Sequence, residues 1–210
     1  IMEVKVDYVS KARVKKLEYY TSMGLTEMEA DVQFRKDVAR MLAVYSTLTE
    51  GVSLFAQFAI LLHYQLHNKF KGMCQIVTWS IKDEEEHCQG NAWLFRQYIR
   101  ENLDIWNDDI KRDIYEACKQ IVSNEHILID YLYSNGECTT LDIKDIKQYV
   151  MYIADRRLQL IGLKPIFNVT NNPLPFMDEL LGSTELANFF EARATEYSKA
   201  AMIGNWSEIR

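Results

Sequence analysis

The sequence predicts an all-α fold: one helical bundle followed by an irregular C-terminal extension. Three observations predict it. Apolar residues recur at steps of three and four along most of the chain, the spacing that places them on one face of a helix. The 210 residues are 48% hydrophobic but include only 8 Gly and 3 Pro, too few turn-formers for a protein of many strands. Alternating, strand-like patterning is weak throughout.

The elements follow in order. An opening helix is expected over residues 8–22, stopped by Gly24. Thr26 reads as the N-cap of the next helix, with Glu29 in the capping-box position. From Phe34 its stripe runs Val38, Met41, Tyr45, Leu48, Val52, Phe55, Ala59, Leu62 and Leu66. It would reach about Phe70, longer than a typical globular helix, so a kink is expected. Residues 68–72 read as a break. Helices over about 73–102 and 108–134 follow, the latter closed by Asn135-Gly136. A further helix begins after a Thr139-Thr140 cap and ends near Gly162. Pro165, Pro173 and Pro175 then mark an irregular stretch, with one short helix over 175–181 and a last helical stretch over 185–201. The division is therefore a bundle over 1–163 and an extension over 164–210.

A net charge of −6 gives no reason to expect nucleic acid as a partner. The opening Ile1-Met2-Glu3 shows no signal-peptide pattern. The longest apolar run, over 52–62, is too short for a bilayer and contains Ser53 and Gln57. These features point to a cytoplasmic protein without a membrane partner. The four cysteines, Cys74, Cys88, Cys118 and Cys138, form no C-x-x-C pair and read as reduced thiols.

The chemistry-bearing residues centre on Asp83-Glu84-Glu85-Glu86-His87. Glu84 and His87, three apart, share a helix face. Helical di-metal sites use a Glu-x-x-His pair from each of two helices and a single Glu from each of two others. Glu50, one helix earlier, supplies such a single Glu. Carboxylate and imidazole suit iron or manganese, and Asp83 would orient a ligand. Glu50 sits among Leu48, Val52, Leu54 and Phe55, where an unpaired carboxylate is costly to bury. A metal, a salt bridge or exposure on the polar side would each remove that cost. The acidic run by itself also suits a solvated face. His63 and His67, four apart, have the spacing of a zinc pair but no third ligand, and His126 stands alone and reads as structural. Met73, Trp79, Trp93 and Phe95 read as core packing. There is no Gly-rich phosphate loop and no G-x-S-x-G elbow.

Five ordered segments resemble the small, radical-generating subunit of class I ribonucleotide reductase. They are Glu50-Gly51-Val52-Ser53-Leu54-Phe55; Lys82-Asp83-Glu84-Glu85-Glu86-His87, similar to an (R/K)-D-E-x-x-H motif; Tyr149 to Leu158 with Gly162-Leu163; Asn172-Pro173-Leu174-Pro175-Phe176; and Phe189-Phe190-Glu191-Ala192-Arg193-Ala194-Thr195-Glu196-Tyr197. The resemblance implies a ferritin-like bundle in a subunit that supports ribonucleoside-diphosphate reduction for deoxyribonucleotide synthesis.

It further implies Glu50, Glu84 and His87 as metal ligands, Asp83 and Tyr197 as radical-transfer residues, and Leu54 and Phe58 as an apolar pocket beside the radical. The implied cofactor is di-iron, with manganese or a mixed pair as alternatives. The implied partners are the large subunit and a second small subunit. The family's other Glu-x-x-His pair, its Asp ligand and its radical tyrosine find no match here. The chain therefore resembles the C-terminal portion of such a subunit: a split-gene product, a shortened chain or a truncated reading frame, its centre completed by an N-terminal fragment. Two other readings remain: another ferritin-like di-metal oxidase, and a metal-free helical interaction module.

Overall fold

The computed structural model describes residues 18–134, 136 and 140–182. After a helical end at 18–21, the elements are α1 (Leu25–Ala30), α2 (Val32–Arg40), a π-helical segment (Met41–Leu54), α3 (Phe55–Leu66), α4 (Lys71–Glu101), a 3₁₀ turn (Leu103–Ile105), α5 (Asp108–Ser134), α6 (Ile143–Leu160) and α7 (Pro175–Gly182). No strand occurs among the described residues. The expected helix over 185–201 and most of that over 8–22 lie outside them.

The first helix starts are capped differently from the expectation at Thr26. Gly24 is the N-cap of α1, and the Glu27 carboxylate accepts its N–H at 3.1 Å. That helix ends at Asp31, whose extended backbone breaks the path and whose carboxylate accepts the Phe34 N–H at 2.6 Å, capping α2. A short acceptor that can bond backbone N–H groups competes with helix continuation and favours a new start.

From Val32 to Leu66 the chain is one helical path, and where the sequence leads to the expectation of a kink it contains a π-helical segment. Thr47 and Thr49 donate to carbonyls five residues back, Leu42 at 3.2 Å and Val44 at 2.9 Å. In α4, Thr78 donates four residues back, to Cys74. The wider turn changes which face is buried. Leu42, Ala43, Thr47, Leu48, Gly51 and Val52 are inside, whereas Met41 and Tyr45 are 55% and 48% exposed. A stripe counted at α-helical spacing drifts off the core wherever each turn holds more residues. It regains phase at Leu48 and holds through Val52, Phe55, Ala59 and Leu62, all buried, before Leu66 emerges to solvent.

This path is the centre of the bundle. Its π segment packs against α4, α5 and α6. By length and composition Val32–Leu66 would suffice to cross a membrane, but a bundle's core helix has the same composition. The path ends in a turn with Asn68 and Phe70 both left-handed, and α4 starts immediately afterwards. Arg35 forks onto Asp104 with two 2.8 Å bonds, and Arg40 pairs with Asp113. Together they tie α2 to the 3₁₀ turn and to α5.

The α6 helix is capped by Asp142, which accepts the Lys144 N–H at 2.7 Å; Thr140 instead bonds His63. At its other end Gly162 adopts φ 83°. The Gly162 N–H bonds the Gln159 carbonyl and the Leu163 N–H bonds that of Leu158, the paired pattern of a glycine-terminated helix. The irregular chain beyond is held by buried Asp155. Its Oδ1 accepts the N–H groups of Ile166 and Phe167 at 2.8 and 3.0 Å, and its Oδ2 accepts that of Val169 at 3.1 Å. One carboxylate thus satisfies three backbone donors that no secondary structure serves.

Asp155→Ala leaves those three donors unpaired and is expected to lower stability by about 3 kcal/mol. Asp155→Asn, which keeps one oxygen acceptor, should lose less. Urea unfolding followed by circular dichroism measures both, and equal losses would contradict this account.

Candidate metal centre

The π segment packs against α4, and Glu84 and His87 of α4 lie within electrostatic reach of Glu50. On α4 the His87 Nδ1 lies 3.6 Å from the Glu84 Oε2, as i, i+3 spacing allows. Burial pushes the Glu50 carboxyl above its ordinary 4.5, the Glu84 carboxylate pushes it the same way, and His87 pulls it back. Both α4 groups therefore lie within electrostatic reach of Glu50. Two carboxylates that repel each other are an arrangement that a cation relieves. The Glu84 side chain is 25% exposed and that of His87 is 63% exposed, so the group opens on one side.

The donors fit iron or manganese in kind. In number, three are half of what a helical di-metal site uses. Among the described residues, no three His, Cys, Asp or Glu side chains converge closely enough to hold an ion by themselves. The geometry is that of an incomplete cradle.

Behind the cradle lies Arg157 of α6, 3% exposed. Its guanidinium donates to the Gly51 carbonyl at 3.2 Å and forks onto the Glu85 carboxylate at 3.1 and 2.5 Å. It also stacks over the Phe55 ring, 4.5 Å from the centroid. Burial opposes the charge on both partners. Their hydrogen bonds and mutual attraction outweigh it, holding the Glu85 carboxyl below and the Arg157 guanidinium above its ordinary range. Within the acidic run Glu85 is therefore committed to an arginine, while Glu84 turns to the Glu50 side. Cys88 is buried in the same place, and its thiol is pushed up to about 11 by that burial.

The other sequence-predicted residues are placed as follows. Asp83 is exposed on α4. Leu54 and Phe58 are half-buried near the end of the π segment and on α3, with the Phe58 ring edge-on to Phe55 at 6.0 Å. Tyr197 lies outside the described residues. The His63 and His67 rings stand 4.7 Å apart, but His63 Nε2 is engaged by the Thr140 hydroxyl at 2.7 Å. His126 bonds the Lys147 carbonyl, a structural contact. Met73 and Phe95 belong to the core, and Trp79 is half-buried. Trp93, expected in the core, is instead 56% exposed, because it falls off the face of α4 that carries Cys88, Ala92 and Phe95 inward.

Sequence reasoning assigned no role to Arg157, Glu85 or Gly51. A signal for Arg157 exists: the stripe Ile146, Val150, Ile153 steps by four, three and four onto it. An arginine in register with a buried stripe calls for a buried carboxylate.

A family model described as ribonucleotide reductase, small chain, matches residues 5–173. Among curated relatives, a probable ribonucleoside-diphosphate reductase small subunit 376L of Invertebrate iridescent virus 6 is 34% identical, over 99% of this chain and 63% of its own. The corresponding 048L protein of Invertebrate iridescent virus 3 is 38% identical, over 81% and 46%. The beta subunit of Chlamydia pneumoniae ribonucleoside-diphosphate reductase is 31% identical, over 76% and 45%. The chain thus spans between 45% and 63% of the length of these relatives. Among solved structures, the ribonucleotide reductase R2 subunit from Clostridium botulinum superposes with a TM-score of 0.60 at 22% identity, covering 63% of this chain and 42% of that one. A putative class I ribonucleotide reductase from Bacillus halodurans gives 0.63 at 17%, covering 81% and 65%. These structures share the fold, which is the ferritin-like helical architecture.

Two outcomes follow from the local geometry. A Cβ at Gly51 would meet the Arg157 Nε at 2.6 Å and Cδ at 2.9 Å, and the pinned guanidinium has little room to yield. Gly51→Ala is expected to lower stability by about 2 kcal/mol in urea unfolding. His63 titrates below its ordinary 6.5, first because it is buried and then because His67 is near. The unfolded chain therefore binds the proton more readily, so this contribution is whole above 6.5 and is lost as pH falls through the folded-state value. His63→Gln should flatten the dependence of the urea midpoint on pH below about 6.5, and an unchanged slope would contradict this.

Proposed function

The chain belongs to the ribonucleotide reductase small-chain family, and from that premise we propose that it contributes half of a dinuclear metal centre to a class I ribonucleoside-diphosphate reductase. The observation that carries this reading is that Glu84 and His87, paired on α4, lie within electrostatic reach of Glu50 on the π segment, while neighbouring Glu85 is neutralised by Arg157.

In this reading Glu50 and Glu84 supply carboxylates and His87 an imidazole to a pair of iron ions, or to manganese or a mixed pair. The bound metals would supply one-electron oxidising power from O2. The half-buried Leu54 and Phe58 keep water and reductants away from the oxidised group. Asp83 holds a ligand or a relay partner by hydrogen bonding from the exposed side of α4. Tyr197 passes the oxidising equivalent to a large subunit, which binds the nucleotide. The remaining donors come from a further segment or a second polypeptide packing on the open side of Glu84 and His87, and two small subunits pair in the working assembly.

The 210-residue chain alone should bind Fe2+ weakly and give no tyrosyl signal in electron paramagnetic resonance after exposure to air. Tightly held, stoichiometric iron with such a signal would overturn the half-site reading. Combined with a polypeptide supplying the missing donors and a class I large subunit, it should support ribonucleoside-diphosphate reduction. Tyr197→Phe should abolish turnover while leaving iron content unchanged. Full turnover in that variant would remove Tyr197 from the path.

A further inference from the structure

We propose that Arg157 is a positioning residue for the metal centre, holding the Glu50 turn of the π segment and the Glu84–His87 turn of α4 at a set distance. The inference rests on the metal-site reading above and extends it to a residue on a third helix.

The contacts of Arg157 are specific in their targets. The Nε donates to the carbonyl of Gly51, the residue after Glu50. The two Nη atoms fork onto the carboxylate of Glu85, the residue after Glu84. One planar group therefore touches both ligand-bearing turns, each one position beyond the ligand. A fork–fork bond fixes orientation as well as distance. The Phe55 ring closes one face of the guanidinium, and the side chain is almost wholly buried. The absent side chain at Gly51 lets the guanidinium reach the carbonyl, since a Cβ there would overlap the Nε.

A buried ion pair is not required for stability as such, because apolar residues of similar volume often replace one without loss. The position of this pair, joining the two turns that carry all three candidate ligands, gives it a different use. The partners that orient metal ligands typically set metal affinity by about 10- to 100-fold.

Co2+ titration of the full chain, read on its d–d absorption bands, tests this. The variants are Arg157→Lys, which keeps the charge but loses the fork, and the double change Arg157→Met with Glu85→Leu, which replaces the pair by apolar bulk. Far-UV circular dichroism and the thermal midpoint report folding, and Glu84→Ala removes a ligand. The expected result is that each folded variant at Arg157 binds Co2+ at least about tenfold more weakly, with altered bands. If a folded variant of either kind keeps wild-type affinity and spectrum while Glu84→Ala loses both, the pair is only structural and the proposal falls, with the metal-site reading intact. Because the half-site alone is expected to bind weakly, Co2+ is taken to millimolar excess; if the wild-type chain then shows no d–d bands, or Glu84→Ala leaves them unchanged, the metal-site reading fails and takes the positioning role with it.

Discussion

The buried fork between Arg157 and Glu85 is the contact on which the arrangement of the bundle's interior turns. It joins α6 to α4 and, through the Gly51 carbonyl, to the π segment. Burying a guanidinium and a carboxylate is unfavourable unless nearly every donor and acceptor finds a partner. Here the fork, the backbone carbonyl and the Phe55 ring supply those partners. A pair so enclosed tolerates little displacement, since any shift would leave a charge desolvated and unsatisfied. The three elements that meet at it are thereby held in one relative placement, with the buried Phe55 ring against the guanidinium and buried Tyr149 within its electrostatic reach.

The π segment is the second constraint. Hydrogen bonding over five residues widens the turn and is poorer in energy than the α pattern, so long stretches are rare and accompany functional sites. In this chain the stretch carries Glu50 and Gly51. Its altered winding turns Thr47, Leu48, Gly51 and Val52 inward together, and puts Glu50 at the edge of the buried face rather than deep in it. That placement lets the carboxylate see both Glu84 and solvent. It also leaves Met41 and Tyr45 outside, on a surface that α-helical spacing would have covered.

The candidate centre is correspondingly lopsided. One side is walled by the Arg157 cluster and buried Cys88; the other, carrying His87, faces outward. Two carboxylates beside an exposed imidazole suit a site finished by something that packs against that face. The chain's family membership, and its span of only part of its relatives' length, agree with such completion.

Much of this was legible in the residues alone. The all-α class, a break near residues 68–72, the limits of α5 and the glycine stop at Gly162 all follow from local spacing and local backbone preference, which act over three to five residues. The Glu-x-x-His pairing and the lone glutamate are legible for the same reason, because i, i+3 neighbours meet on any helix. What tertiary structure alone decided is contact between distant parts of the chain. That Glu85 rather than Glu84 meets an arginine 72 residues away depends on how α4 and α6 are rotated about their axes, which no local pattern encodes. The π winding behaves likewise: the apolar spacing over Met41–Leu54 is that of an ordinary α-helix, and the wider turn is seen only in the structure. Sequence thus determined which groups are available and on which helix face. Packing determined which of them are neutralised and which remain open to a metal.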